Sequence, residues 1–341
     1  MTNSCDRSSV LAAGYVPLDI ISYQGRIWHS AGGTAGNVSA ILGFLGWTAA
    51  IVADLGSDLA GQRTKRDLQK ANVAVDFVRL LPSVRTPRLI HEITPTGHRY
   101  IFRCPKCSSP FPTSRPLRSD RASELIATAT APTVFFFDRL NVGTLTLAEH
   151  FASHGSFIVF EPSRSARADL TGRAVKVADL IKFAADRETG LRHLEPASSR
   201  QVWVVTSGAD GAKFRIGSGI WHDSPAFSYP VVDAGGAGDW TTAGLVHALQ
   251  VPQRCTVAAV GDALRWAQAL AAVSCGAPGA RGLARIQTAD SALRAAKFLE
   301  QQRGHPSADE RTTPPSSRTA PETLCSTCLL PIATHASARA V

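Results

Sequence analysis

Residues 231–239 read Val-Val-Asp-Ala-Gly-Gly-Ala-Gly-Asp, and this stretch decides the fold expected for the chain. Positions 234 to 238 are small, so consecutive backbone N–H groups can turn toward one point. A helix that starts there adds its positive N-terminal end, which suits an anion such as a phosphoryl group. Asp239 falls in the first helical turn, where a carboxylate can take a proton from an attacking hydroxyl group. The alternative is a glycine-rich strand–helix turn in which Asp239 is only an N-terminal helix charge.

A second glycine-rich turn, at Gly32 and Gly33, feeds a helix predicted within residues 31–46 from apolar residues three and four positions apart. Farther along, short continuous apolar runs such as 133–138, 156–160 and 202–206 alternate with helical segments. Such runs are typical of strands buried in a parallel sheet. The alternation predicts an α/β fold with a doubly wound, mainly parallel sheet flanked by helices.

The chain is expected to form one large domain over residues 1–302. Strand-like alternation from Val73 to Phe102, with a turn at residues 94–97, predicts a small β-sheet lid on this domain. Its strands are placed at approximately 12–30 and 73–103, and a first strand is placed at residues 10–21, with Gly14 and Pro17 breaking it before Asp19. Residues 303–341 are rich in Pro, Ser, Thr and Arg, which predicts a tail that is disordered unless something ties it down.

Charge and composition restrict the classes of partner and ligand that the chain is expected to bind. The chain has 36 Lys and Arg against 27 Asp and Glu, a formal net charge of +9 that is spread over its length. Without clustered basic and aromatic residues, nucleic acid is not an expected partner, whereas a small phosphorylated ligand is compatible with the positive field. No apolar run is long enough to span a membrane, and the start of the chain lacks a basic signal-peptide region. We expect a cytoplasmic enzyme.

The signature at residues 233–239 closely resembles the D-T-x-G-A-G-D motif of the ribokinase-like (PfkB) carbohydrate kinase family. The stretch from Gly32 to Asn37, followed by Leu45-Gly46, resembles the family's N-terminal signature, in which a glycine pair precedes an asparagine and a helix. Four shorter motifs follow in the family's order, namely Gly56-Ser57-Asp58 with Gly61, Thr86 with Gly97-His98-Arg99, Thr206-x-Gly208-x-x-Gly211, and Gly279-Ala280. The resemblance covers roughly residues 10 to 290.

This resemblance implies an ATP-dependent kinase with a ribokinase-like fold that uses Mg²⁺. It assigns Asp239 as the catalytic base that deprotonates the substrate hydroxyl. The backbone of Gly236, Ala237 and Gly238 would form the anion hole for the transferring phosphoryl group. The remaining implied assignments are sugar binding at Asp19, Gly32, Gly33 and Asn37, and ATP binding at Thr206, Gly208, Gly211, Gln268 and Gly279.

Several positions depart from the family pattern. Ala234 replaces the signature threonine. The N-x-x-E motif that positions Mg²⁺ through water is here 185–188, so Glu188 remains as the implied metal residue while the asparagine is absent. Glu188 is alternatively an exposed helix residue, and Gln268 is alternatively an ordinary residue on a helix surface. Glu161, at the end of a predicted strand, stands where related sugar kinases have a D-x-N type sequence, so the substrate stays open.

The chain has seven cysteines, an odd number, and no secretory signal. Both features argue against a framework of disulfide bonds. Four of them form two C-x-x-C pairs, Cys104/Cys107 and Cys325/Cys328. Two thiolates at this spacing can bind one tetrahedral metal ion, so the pairs together predict a structural Zn²⁺ site that pins the tail to the loop after the lid. Two unrelated thiol pairs, or a redox pair at Cys104/Cys107, are the alternatives.

The sequence therefore predicts a kinase that phosphorylates an alcohol of a sugar, sugar derivative or nucleoside. A member of the family that has lost turnover and serves as a ligand-binding or regulatory scaffold is one alternative. A kinase acting on a phosphosugar is another. The expected partners are ATP and a sugar-like small molecule, with a homodimer through the lid left open. Dependence on a monovalent cation is also left open, because such sites are built from backbone carbonyl groups.

Overall fold

A computed structural model describes residues 8–164, 166–187, 190–191, 194–250 and 255–302. In these ranges the strands are β1 (Ser9–Ala13), β2 (Leu18–Tyr23), β3 (Arg26–Ala31), β4 (Thr48–Gly56), β5 (Val73–Ala74), β6 (Val78–Leu81), β7 (Arg88–Thr94), β8 (Gly97–Ile101), β9 (Val134–Phe137), β10 (Phe157–Phe160), β11 (Leu180–Ala184), β12 (Val202–Thr206), β13 (Ala212–Ile216) and β14 (His222–Ser224). The α-helices are α1 (Thr34–Phe44), α2 (Leu59–Lys70), α3 (Ser119–Thr128), α4 (Val142–Ser153), α5 (Ala168–Val177), α6 (Ala237–Leu249), α7 (Val257–Ser274), α8 (Gly282–Ile286) and α9 (Ala289–Gln301).

The large sheet has the strand order β14-β13-β12-β11-β10-β9-β1-β4-β5, and β6 also pairs with β4. From β12 to β5 every pairing is parallel, while β13 and β14 add an antiparallel edge. Side chains of a strand point alternately to the two faces of a sheet. In β9, Val134 and Phe136 accordingly join one apolar core, and Phe135 and Phe137 join the other.

Helices cover both faces of the large sheet. Residues of α1, α6, α7 and α9 belong to the core on one face, and residues of α3, α4 and α5 belong to the core on the other. Strands that are buried on both sides need apolar residues at every position, which explains the continuous apolar runs in the sequence. The predicted doubly wound, mainly parallel fold is confirmed.

A second sheet has the strand order β3-β2-β7-β8, and we call it the lid sheet. It consists of the hairpins β2–β3 and β7–β8, joined by parallel pairing of β2 with β7. The single strand expected at residues 10–21 is in fact two strands, because Gly14 and Pro17 interrupt it and the chain passes there from the large sheet to the lid sheet. The strands at 73–74 and 78–81 pair with β4, so the second lid segment starts at Arg88 rather than near residue 73.

Among the described residues, no helix has the length and apolar character needed to cross a membrane. Residues 303–341, which include the predicted tail and the Cys325/Cys328 pair, lie outside the described residues.

Candidate active site

The predicted base Asp239 and the predicted sugar-binding residue Asn37 meet at the N-terminus of α6. Asp239 lies in the first turn of α6 and is partly buried. The side-chain amide of Asn37, on α1, donates a 2.6 Å hydrogen bond to Asp239 Oδ2. The pKa of Asp239 is raised to about 7, first by desolvation and then by the negative charge of Glu161, while the Asn37 hydrogen bond and the charge of Lys182 lower it. The group therefore changes protonation state near neutral pH, where a general base is most effective.

The turn before α6 has the shape of an anion-binding site. Gly236 adopts a left-handed conformation with φ +89°, and a Cβ there would lie 2.4 Å from Cβ of Ala280. Both constraints require glycine. The next residues, Ala237 and Gly238, begin α6, and N–H groups in a first helical turn have no partner within the helix. Ala237 N–H donates to Ala234 O at 3.2 Å, so a phosphoryl group placed there would meet Gly238 N–H and the positive end of the helix dipole.

Asp233, the first residue of the signature, holds this turn in place. Its Oδ1 accepts a hydrogen bond from Gly235 N–H and its Oδ2 accepts one from Gly279 N–H, each 2.8 Å long. The carboxylate thus ties the predicted anion hole to the loop that contains Gly279, which was assigned to the nucleotide site. The indole of Trp240 adds a 2.8 Å hydrogen bond from α6 to Ala280 O in the same loop.

Two of the residues assigned to the sugar offer unoccupied acceptors. Asp19, on β2, and Asn37 each have a buried Oδ1 atom without a hydrogen-bond partner. Burial raises the pKa of Asp19 to about 8, Arg281 opposes the shift, and Asp239 adds to it. Buried polar atoms in native proteins normally have partners, so these two atoms mark where donors of a ligand belong.

Glycines 32 and 33 allow the backbone to pass close to the site. A Cβ at Gly32 would lie 1.9 Å from Asp19 Oδ2, so only glycine leaves room for that carboxylate. Gly33 has φ +74°, and a Cβ there would lie 2.2 Å from Tyr15 O. Gly33 O then accepts the Asn37 N–H at 2.8 Å, which fixes the first turn of α1. The two glycines set the positions of Asp19 and Asn37.

The residues assigned to ATP lie in the turn between β12 and β13, on α7 and in the loop between α7 and α8. Thr206 ends β12, Gly208 begins a 3₁₀ turn with φ +59°, and Gly211 follows with φ +92°. A Cβ at Gly211 would lie 2.4 Å from Ser224 O, on β14. Gln268, on α7, is buried rather than on the helix surface, and its amide both accepts from Ser224 Oγ and donates to Ser224 O. Gln268 thus supports the edge strand, and its role beside adenine stays a prediction.

Comparison with known proteins identifies the family. A family model described as pfkB family carbohydrate kinase matches residues 9–286. The chain belongs to the pfkB family. A relative named ATP-dependent ribose-1-phosphate kinase from Halopiger xanaduensis is 26% identical over 318 residues, covering 86% of this chain and 98% of the relative. Aminoimidazole riboside kinase from Salmonella typhimurium is 24% identical over 299 residues, covering 80% of this chain and 91% of that protein.

A solved structure of fructokinase from Vibrio cholerae has a TM-score of 0.66 with this pfkB chain at 21% identity. The match covers 85% of the chain and 98% of the fructokinase. At this identity the similarity establishes the ribokinase-like fold, and the family match establishes a phosphotransferase.

Sequence reasoning missed a buried ion pair beside the pfkB signature. Lys182, on β11, lies 2.6 Å from Glu161 at the end of β10, and its Nζ also donates to Gly238 O at 2.8 Å. The second Glu161 oxygen accepts a hydrogen bond from Thr242 on α6. A lysine within the apolar run 180–184 was a visible signal, because a buried strand does not carry an unpaired charge. Lys182 brings a positive charge to the start of α6.

The lid sheet also brings side chains to the pfkB site. The pKa of Tyr100, on β8, is raised first by partial burial, since 43% of the residue stays exposed, and then by the negative charges of Asp19 and Asp239. Its ring lies with centroids 4.7 Å from His91 and 5.2 Å from His98. The phenol therefore lies in the electrostatic field of both site carboxylates. A single aromatic residue in a strand does not allow this position to be predicted from the sequence.

Not every metal assignment can be followed in the structure. Glu188, assigned to Mg²⁺, lies outside the described residues, as do Cys325 and Cys328. Cys104 is buried and Cys107 is exposed. The shared Zn²⁺ site therefore stays a prediction.

Proposed function

We propose that this pfkB kinase transfers the γ-phosphoryl group of ATP to a hydroxyl group of a sugar, a sugar derivative or a nucleoside. The observation that carries the proposal is the pair of Asn37 and Asp239, whose 2.6 Å hydrogen bond lies at the N-terminus of α6. It places a carboxylate with a pKa of about 7 beside the backbone that would hold the phosphoryl group. The names of the relatives support the same range of substrates.

In the proposed reaction, Asp239 takes the proton of the substrate hydroxyl as its oxygen attacks the γ-phosphorus. The oxygen–phosphorus bond to ADP breaks, and ADP leaves. Within the predicted anion hole, the N–H groups at Gly236 and Gly238, together with the N–H group of Asp239, would receive the negative charge of the transferring group, because Ala237 N–H already donates to Ala234 O. Lys182 supports them through its hydrogen bond to Gly238 O, because it holds the first turn of α6 in place and adds a positive charge close to it.

Binding of the acceptor would use the unpartnered oxygens of Asp19 and Asn37. A sugar presents several neighbouring hydroxyl groups, each of which can donate a hydrogen bond. Donation to both oxygens would satisfy two buried acceptors at once and fix the orientation of the ring. Closure of the lid sheet over the ring would exclude water and limit hydrolysis of ATP.

The Mg²⁺ that accompanies ATP would supply charge neutralisation on the phosphates. Among the described residues, Glu161 is a buried carboxylate close to the start of α6. Its two oxygens already accept hydrogen bonds from Lys182 and Thr242. This donor set does not fit a direct Mg²⁺ ligand. Glu188 remains our proposed Mg²⁺ residue, acting through water.

Two other functions follow from specific observations. The relative named ribose-1-phosphate kinase favours a phosphorylated sugar as acceptor, and Arg281, which is buried close to Asp19 and paired with Asp67, would contribute positive charge. Replacement of the motif asparagine by Ala185 favours a scaffold without turnover. The intact signature from Gly236 to Asp239 argues against the scaffold. We also expect a cytoplasmic kinase, with no nucleic acid or membrane partner and with dimerisation through the lid still open.

The deciding experiment is release of ADP from Mg-ATP over a panel of sugars, sugar acids, nucleosides and sugar phosphates. A signal that depends on one acceptor and disappears in Asp239→Asn supports the kinase and names its substrate class. Nucleotide binding without ADP release for any acceptor favours the scaffold instead. Turnover that persists in Asp239→Asn removes that residue from the role of base.

A further inference from the structure

Three potential metal ligands lie together where the lid sheet contacts the signature turn. His98 Nδ1, on β8, lies 3.0 Å from Asp233 Oδ1, and His91 Nε2, on β7, lies 3.4 Å from Asp233 Oδ2. One ligand atom from each residue can be chosen so that all lie within 4.8 Å of one another. The side chains of Asp233 and His91 are buried, and that of His98 is 25% exposed. Metal can therefore reach the cluster from the His98 side.

His91 supplies an independent indication that a ligand belongs there. Its Nε2 atom is buried and makes no hydrogen bond, although it faces the Asp233 carboxylate. A buried nitrogen without a hydrogen bond costs free energy. A cation between the imidazole and the carboxylate would be attracted by both, and would satisfy the nitrogen and the carboxylate oxygen together.

We infer that His91, His98 and Asp233 bind a divalent transition-metal ion such as Zn²⁺ or Co²⁺. Two imidazole nitrogens with one carboxylate form a ligand set that suits these ions, whereas Mg²⁺ prefers oxygen ligands throughout. Bonds of about 2.0–2.2 Å place the ligands of a tetrahedral ion roughly 3.4 Å apart. The two separations involve different Asp233 oxygens, so a carboxylate bound through one oxygen matches one of them, and the third ligand atom lies within 4.8 Å. Three protein ligands leave the fourth position to water.

Such a site would join the lid sheet to the turn that precedes α6. His91 and His98 belong to the lid sheet, while Asp233 holds the N–H groups of Gly235 and Gly279. Bound metal would thus clamp the β7–β8 hairpin onto the turn that precedes α6. Metal binding itself does not rest on the proposed function, since it depends only on these three side chains.

Co²⁺ titration of the reduced full-length chain tests the site. Cobalt bound by nitrogen and oxygen gives visible d–d bands, whereas cobalt bound by thiolates adds a strong near-ultraviolet charge-transfer band. We expect d–d bands that saturate with one equivalent at this site. His98→Gln should weaken this binding by about tenfold or more, since even outer-shell changes cost 10–100-fold. Binding of unchanged affinity in His98→Gln overturns the proposal.

A matched control is available on α4, where His150 and His154 have ring centroids 4.2 Å apart on the surface. Such a pair can bind cobalt by itself, so His154→Gln should leave the proposed signal unchanged. Loss of the signal in His154→Gln, or a spectrum made only of thiolate bands, assigns the cobalt elsewhere and overturns the site. His91→Gln, with folding checked by circular dichroism, provides a second ligand variant that should lose the same bands.

Hydrogen exchange tests the clamp separately. In the wild-type chain, Zn²⁺ should slow amide exchange in residues 88–101 relative to metal-free protein, and His98→Gln should abolish the slowing. Exchange in the α4 segment 142–153 serves as the internal reference. Metal binding that leaves exchange in the hairpin unchanged overturns the clamp. Neither readout requires a substrate, so failure here is distinguishable from failure of the proposed kinase activity.

Discussion

Asn37 and Asp239 are separated by 202 positions in the chain, yet the Asn37 amide donates a 2.6 Å hydrogen bond to the Asp239 carboxylate. The contact joins the first turns of α1 and α6, which pack side by side on one face of the large sheet. It also joins the two glycine-rich signatures that were found separately in the sequence. Substrate orientation by Asn37 and proton removal by Asp239 are therefore mechanically linked in the proposed reaction.

Asp239→Asn tests the proposed base. The amide keeps the size of the side chain but cannot take a proton, so kcat should fall by about 10²–10⁴-fold. Nucleotide affinity, measured by calorimetry, should change little because the anion hole is made of backbone. Asp223→Asn is the matched control, since its side chain is 75% exposed on β14 and far less constrained. Equal kinetic losses in the two variants would contradict a specific role for Asp239.

Asn37→Ala separates acceptor binding from nucleotide binding. The variant removes both the free Oδ1 atom and the amide that donates to Asp239. We expect a large increase in KM for the acceptor and little change in ATP affinity. Because the lost hydrogen bond had lowered the pKa of Asp239, the acid limb of the pH profile should move to higher pH. Parallel losses of both affinities would point to misfolding.

The sequence predicted the residues carried by compact motifs. Asp239, Asn37 and the small residues between 234 and 238 lie in short signatures, and local backbone geometry alone brings them to helix N-termini. The fold class followed in the same way from the alternation of apolar runs and helical segments. For these features the information lies within about ten neighbouring residues.

Contacts between distant strands could not be found in this way. Lys182 and Glu161 meet because β10 and β11 pair in parallel with Phe160 opposite Ile181, a register that depends on the whole sheet. The first strand was misplaced for a related reason. Gly14 and Pro17 indicate a break in the apolar run, but they do not show that the chain leaves one sheet for another, which only the pairing of Leu18 with Ala31 reveals.

The pH dependence of activity should follow the ionisation of Asp239. The base acts only when deprotonated, and its pKa is about 7. We therefore expect kcat/KM to fall about tenfold for each pH unit below 7 and to level off above it. A pH-rate profile between pH 5 and 9 checks this, with tryptophan fluorescence monitoring the fold. A profile that is flat down to pH 5 would contradict the raised pKa.

Deprotonation of Asp239, which should raise the activity, should lower the stability of the folded state. The folded-state pKa of Asp239 is raised above the ordinary value of 3.8, so the folded state holds a proton that the unfolded state has released. The stabilising contribution is complete below about pH 4 and is lost as the pH rises to 7. Asp239→Asn mimics the protonated form, so its advantage in free energy of unfolding over the wild type should grow across this window. Denaturant unfolding at pH 4, 5.5 and 7.5 measures it.

Lys182→Met tests the buried ion pair. The side chain is 2% exposed, and its removal leaves Glu161 as an uncompensated buried charge. We expect a loss of about 3–5 kcal/mol in the free energy of unfolding. The double variant Lys182→Met/Glu161→Gln removes both charges and should recover most of that stability. Its kcat should stay low, because the positive charge beside Gly238 is still missing. Full recovery of kcat would make the pair purely structural.

Gly236→Ala tests whether the turn before α6 must keep its shape. The φ of +89° is strained for any L side chain, and the added Cβ would lie 2.4 Å from the Ala280 Cβ. We expect a loss of roughly 1–3 kcal/mol in stability and a larger fall in kcat than in acceptor affinity, because the anion hole is displaced.

Gly172→Ala is the matched control, since a Cβ there, within α5, meets nothing within 4 Å. That change should leave kcat unaltered and raise stability slightly, as alanine is the better helix former. Equal behaviour of the two variants would mean that the backbone at Gly236 does not hold the transferring phosphoryl group.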